Sequence, residues 1–169
     1  MNTRKLTTMA LLSAIALTIF MVEAQIPGVV PIPGVKLGLA NIVTVYTVYA
    51  LGGKEGVAVL AVRIFLGAVF SGNFGTIFYS AAGGALAILV TIGLKLVLRE
   101  NQLWIAGCLG AIAHSIGQMI VAVWATGTPS LLIYLPVLIL CSVIAGLFTG
   151  LCAQLLVKRG KNLWKTIFK

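Results

Sequence analysis

Apolar runs along this chain alternate with short polar or glycine- and proline-rich interruptions, at lengths that fit helices in hydrocarbon. Six spans are predicted, at about residues 6–22, 37–51, 56–70, 76–98, 103–125 and 131–157. A helix needs about 20 residues to cross a bilayer. The second and third spans are short for a full crossing, while the fourth and sixth are long enough to tilt or to project past the lipid. The first span is followed by further spans, so it reads as a membrane segment and not as a removable signal peptide.

Composition turns this pattern into a class. Hydrophobic residues make up 60% of the chain and charged residues 9%, with mean hydropathy +1.13. A water-soluble domain carries about a quarter charged residues. The expectation is therefore an all-α integral membrane protein, with six transmembrane helices in one bundle over residues 1–169. The net charge of +9 adds orientation. Arg4, Lys5, Lys54, Lys95, Arg99, Lys158, Arg159, Lys161, Lys165 and Lys169 all fall between spans on one side. Lys36 falls on the other side, and Arg63 lies inside the third span. Basic loops stay in the cytoplasm. Residues 1–5 and the basic tail 158–169 are thus expected to be cytoplasmic, residues 23–36 to form an outer loop, and the protein to be multi-pass in the plasma membrane. The tail reads as topology and lipid-headgroup contact, not as a nucleic-acid surface.

Much catalytic chemistry is missing. The chain has no aspartate, and its acids, Glu23, Glu55 and Glu100, are scattered. A magnesium diphosphate site needs several close carboxylates. The single histidine, His114, has no second histidine for zinc. Cys108, Cys141 and Cys152 have no metal-pair spacing and read as small buried hydrophobes. Gly52-Gly53-Lys54-Glu55 lacks the upstream glycine and the following Ser or Thr of a phosphate loop. The expectation is no enzyme, no metal and no cofactor.

Polar side chains inside a membrane helix are costly, and each asks for a partner or a function. Arg63 lies half-way along a short span. It either binds an anionic group or braces helix-end carbonyls. Glu23 and Lys36 flank a loop with three prolines and two glycines and can pair to pin it. That loop is either a lid on an outward pocket or a packed connection. Asn41 and Thr44 share a face of the second span. His114 and Gln118 stack four apart on the fifth, within a stripe that includes Gly107, Gly110 and Gly117. They either bond neighbouring helices or read a ligand, with Trp124 sealing it from the outer end. Asn73 sits in the turn Ser71–Gly75, and Tyr79 follows it. Glu23, Lys36, Asn41, Arg63, Asn73, Tyr79, His114, Gln118 and Trp124 are the candidate binding residues, mostly at mid-depth or toward the outer side.

Several runs also carry a resemblance. RKLTTMALLSA, from Arg4 to Ala14, resembles the opening of substrate-binding S components of energy-coupling factor transporters. PGVKLGLAN from Pro33 to Asn41 is more specific. Together with RIFLG from Arg63, Ser71-Gly72, and SAAGG from Ser80 to Gly84, it resembles the Gx transporter family, often labelled heptaprenyl diphosphate synthase component I. The label fits poorly with a chain that lacks aspartate-rich motifs. The resemblance implies an S-component-like fold and a subunit that captures a vitamin-like or other trace small molecule. A transmembrane coupling subunit and ATPase subunits would energise it in trans. The first helix would dock the coupling subunit through Ala10, Ser13 and Ala14. The alternative role is an accessory membrane subunit of an isoprenoid, quinone or extracellular electron-transfer system.

Overall fold

The structure, a computed structural model, describes residues 3–25 and 36–167, with side chains through residue 160. Six α-helices follow one another: α1 Thr3–Gln25, α2 Asn41–Ala50, α3 Gly53–Ser71, α4 Thr76–Lys95, α5 Leu103–Thr126 and α6 Leu135–Ile167. Short 3-10 turns at Glu100–Gln102 and Pro129–Tyr134 lead into α5 and α6. The described residues contain no strand, as an all-α chain requires.

Four segments are long and apolar enough to cross a membrane: Thr3–Gln25, Thr76–Lys95, Glu100–Thr126 and Pro129–Gly160. The other two helices fall short of that for different reasons. α3 has 19 residues but carries Lys54, Glu55 and Arg63. α2 has 10 residues, which at 1.5 Å per residue spans about 15 Å, or half the hydrocarbon. The expected start of the second span at residue 37 is corrected to Asn41. Gly38 has φ +78°, which a right-handed helix cannot contain. The sixth helix also runs on past its expected end, because the basic residues after Val157 end the apolar pattern without ending the helix. Glu23, expected at the start of a loop, lies within α1.

The ends of the helices sort by chemistry. Lys5 in the first turn of α1 pairs with Glu55 in the first turn of α3. Lys95 at the end of α4 donates to the Val48 carbonyl of α2 at 2.6 Å, satisfying an acceptor near the end of that helix. Leu103 at the start of α5 packs with Ala153 and Val157 of α6. The starts of α1, α3 and α5 and the ends of α2, α4 and α6 therefore share one end of the bundle. This is the end that collects Lys5, Lys54 and Lys95.

α5 is the central helix and packs most extensively on α4 and α6. Small residues make both approaches close. A Cβ on Gly107 would lie 2.5 Å from the Gly150 Cα, and one on Gly117 would lie 2.6 Å from the Ala82 carbonyl oxygen. Backbones this near are a main source of packing energy between helices in lipid, where apolar contact alone gives no preference. Ser115 and Ser142 hydrogen-bond across the same α5–α6 seam.

The surface is inverted relative to a soluble protein. Phe70, Leu89, Ile144 and Phe148 are each more than 60% exposed. Arg63, Glu23, Asn41, His114 and Gln118 are each at most 5% exposed. Apolar outside and polar inside is the distribution a bilayer imposes.

Candidate functional site

The break between α1 and α2 builds the site. Residues 36–40 are not helical, and backbone of this kind is tolerated at membrane depth only when protein satisfies it. Glu23 does so: its Oε1 accepts the Gly38 N–H at 2.6 Å and its Oε2 the Leu39 N–H at 3.0 Å. Gln118 of α5 holds the other end, its Oε1 accepting the Lys36 N–H at 3.1 Å. Glu23 and Lys36 lie within electrostatic range of each other, as expected of a pair, but without a direct ion pair. The carboxylate bonds backbone, and the Lys36 ammonium stands 3.8 Å above the centre of the Phe20 ring.

Phe20 is a site residue that sequence reasoning missed. Its ring faces two cations, because the Arg63 guanidinium carbon lies 5.5 Å from the same centre. Aromatic faces attract cations more strongly when water is excluded. Room for the ring comes from Gly67, where a Cβ would lie 2.8 Å from the Phe20 Cε1. The available signal was spacing. Phe20 is three residues before Glu23 on α1, and Gly67 is four after Arg63 on α3, so each pair shares a helix face.

Arg63 is 3% exposed, and its Nη2 has no hydrogen-bond partner. It lies within electrostatic range of Glu23 and His114. His114 lies between two glycines. A Cβ on Gly38 would meet its Cδ2 at 2.9 Å, and a Cβ on Gly83 would meet its Cε1 at 2.9 Å. Its Nδ1 is buried without a well-formed hydrogen bond. Asn41 opens α2 beside Gly38, and neither end of its carboxamide has a partner. The structure thus joins α1, the break, α2, α3 and α5 through Glu23, Lys36, Asn41, Arg63, His114 and Gln118.

Three other candidates are not brought to this cluster. Asn73 is exposed and spends its side chain on its own turn, Oδ1 accepting the Gly75 N–H at 3.0 Å. Tyr79 is half-buried against the apolar group Met119, Ala122 and Leu138. Trp124 is 77% exposed and lines an apolar groove of about 400 Å³ with residues including Met119, Val123 and Leu135. Its position in the last turns of α5 matches expectation, but the groove it lines contains none of the polar cluster's residues. The proline loop proposed as a lid, residues 26–35, lies outside the described residues.

On α1, Ala10 and Ala14 are exposed, and no other helix among the described residues buries either one. Ser13 is corrected to the inner face: it is 6% exposed and bonds the Met9 carbonyl at 2.9 Å. The described residues hold no group of three or more His, Cys, Asp or Glu able to bind a metal. Cys108, Cys141 and Cys152 are free and half-buried.

Fold and cluster together define a helical membrane protein that encloses charged and amide side chains around a broken segment. The chain belongs to the family described as heptaprenyl diphosphate synthase component I, the Gx transporter family, whose model matches residues 12–156. No curated protein and no solved structure matches it.

Proposed function

We propose that this protein is a membrane-embedded substrate-binding subunit, S-component-like, for uptake of a vitamin-like or other trace small molecule. The observation that carries this reading is the set of unpartnered buried groups on Arg63 and Asn41, beside the buried His114. Each such group costs free energy in a dry interior. A solute that supplies the missing partners offsets that cost and gains affinity from it. The cluster lies beyond the start of α2, about 15 Å from the basic end of the bundle, on the side away from Lys5, Lys54 and Lys95.

In this reading all six helices form one bundle in the plasma membrane. The broken segment and α2 together make one crossing, and the basic end is cytoplasmic. Energy comes from a transmembrane coupling subunit, which docks on the Ala10 and Ala14 face, and from ATPases in trans. The chain itself performs no catalysis. Native mass spectrometry of the detergent-purified protein tests the central claim. A small molecule carried by the wild type and lost from a His114→Ala, Asn41→Ala double variant is the expected result. A folded wild type that carries nothing and takes up nothing from a metabolite library overturns it.

A further inference from the structure

The charges around the break do not balance. Lys36 and Arg63 bring two positive charges to Phe20, and Glu23 brings one negative charge. Residues 26–35, which join α1 to the break, contain only Ile, Pro, Gly and Val and bring no charge of their own. Glu23 is also already committed, since both its oxygens accept backbone N–H groups. Arg63 keeps Nη2 free while buried, and beside Gly38 the Asn41 carboxamide offers one free donor and one free acceptor.

We propose that the solute is a small monoanion, carrying a carboxylate or equivalent single charge for Arg63 and a donor–acceptor edge for Asn41. This rests on the reading of the chain as a solute-binding subunit. One negative charge completes the cluster. A guanidinium fork matches a carboxylate geometrically, and the burial of Arg63 makes the pairing strong. A dianion would leave the surplus with the opposite sign, and a cation would meet two like charges at close range. The free carboxamide of Asn41 selects among monoanions, because a ligand without a matching edge leaves both its atoms unpaired.

The test is a thermal-shift screen of the purified full-length protein with compounds sorted by charge at pH 7. It includes matched pairs such as nicotinate and nicotinamide, benzoate and benzamide, and indole-3-acetate and indole-3-acetamide, with thiamine as a cation and sulfate as a dianion. The expected hits are monoanions, with each matching neutral amide binding the protein about tenfold or more weakly. Arg63→Gln should abolish the preference, Arg63→Lys should keep it in part, and Lys54→Gln should leave it unchanged. Asn41→Asp guards against a simple folding defect. It loses no hydrogen bond and supplies the missing negative charge within the chain. Its melting temperature without added compound should match or exceed that of the wild type, while the monoanion response disappears. Hits confined to neutral, cationic or dianionic compounds overturn the monoanion assignment and leave the binding role standing. No hit in any class overturns both.

Discussion

Glu23, in the last turns of α1, holds the backbone of Gly38 at 2.6 Å, so the first helix and the break before α2 form one structure. A carboxylate gripping two adjacent N–H groups at membrane depth does work that water would do elsewhere. Glu23→Ala leaves the Gly38 and Leu39 donors without this acceptor, at about 1–3 kcal/mol for each unsatisfied group. A markedly lower melting temperature of the purified protein is expected. Glu23→Gln keeps one acceptor oxygen and should fall between the alanine variant and the wild type. Melting of the alanine variant at the wild-type temperature would show that the two hydrogen bonds contribute nothing.

Gly38 is constrained twice. Its φ of +78° costs other residues about 1–2 kcal/mol, and its missing side chain gives His114 and Asn41 their places. Gly38→Ala should therefore lower both stability and solute affinity. Gly72→Ala is the matched control. It has φ +64° but nothing within 4 Å of the new Cβ, so it should show the strain alone and leave affinity unchanged. The comparison is read from melting curves and from binding of whichever compound stabilises the wild type. Matching losses in the two variants would remove any packing role from Gly38.

The α5–α6 seam makes a third prediction. Gly107→Ala places a Cβ 2.7 Å from the Gly150 nitrogen, with backbone as the obstacle, so the helices must separate. Overpacking of this kind typically costs about 1–3 kcal/mol. Gly93→Ala meets nothing within 4 Å in α4 and gains helix propensity, so it should be neutral or slightly stabilising. Thermal unfolding separates the two. A Gly107→Ala protein as stable as the wild type would contradict the close approach.

How far these features could be read from residue order differs by element. Thr76 and Leu103 begin α4 and α5 where the apolar pattern places them, because a polar turn and an apolar run adjoin there. The start of α2 was missed by four residues, since Leu37 and Leu39 extend the apolar pattern through a glycine whose left-handed φ is set by Glu23. The inward stripe of His114 and Gln118 was legible from helical spacing. The grip of Glu23 on Gly38 was not, because it depends on how α1 meets the break in three dimensions. Phe20 carries no polar atom to set it apart within an apolar helix. Asn73 and Trp124 drew attention as polar or aromatic residues near the outer ends, but the turn and the apolar groove use them instead. The Gly146–Gly150 pair has the spacing of a helix contact, yet that spacing does not say that its partner is Gly107.

Orientation is testable by cysteine-accessibility labelling in a background lacking Cys108, Cys141 and Cys152. Asn73 and Thr128 lie at the end of the bundle opposite Lys5 and Lys95, and both are exposed. Cysteines introduced there should react with an impermeant reagent in intact cells. One introduced at the exposed Lys54 should react only after the membrane is opened. Labelling of Lys54 from outside would invert the orientation and put the break on the cytoplasmic side.

The proposed docking face on α1 gives the last prediction. Ala10 and Ala14 are exposed one turn apart, and Leu6 and Leu11 beside them are also exposed, at 52% and 61%. Ser13 points the other way, into the packing against α2 and α3, which surrounds Leu12 and Ala16. The two faces should therefore respond differently to a large side chain. Ala14→Trp adds an indole where no helix of this chain stands, so the purified protein should melt like the wild type and keep its solute affinity. A partner helix that needs close backbone approach would be held away, so uptake and capture of the coupling subunit should be lost together. Ser13→Trp forces the same ring into a buried site and should destabilise the fold itself, by about 1–3 kcal/mol or more. Three measurements separate the cases: melting temperature, affinity for a stabilising compound, and pull-down of the coupling subunit. An Ala14→Trp protein that is folded, binds its compound and still captures the subunit removes this face from the interface.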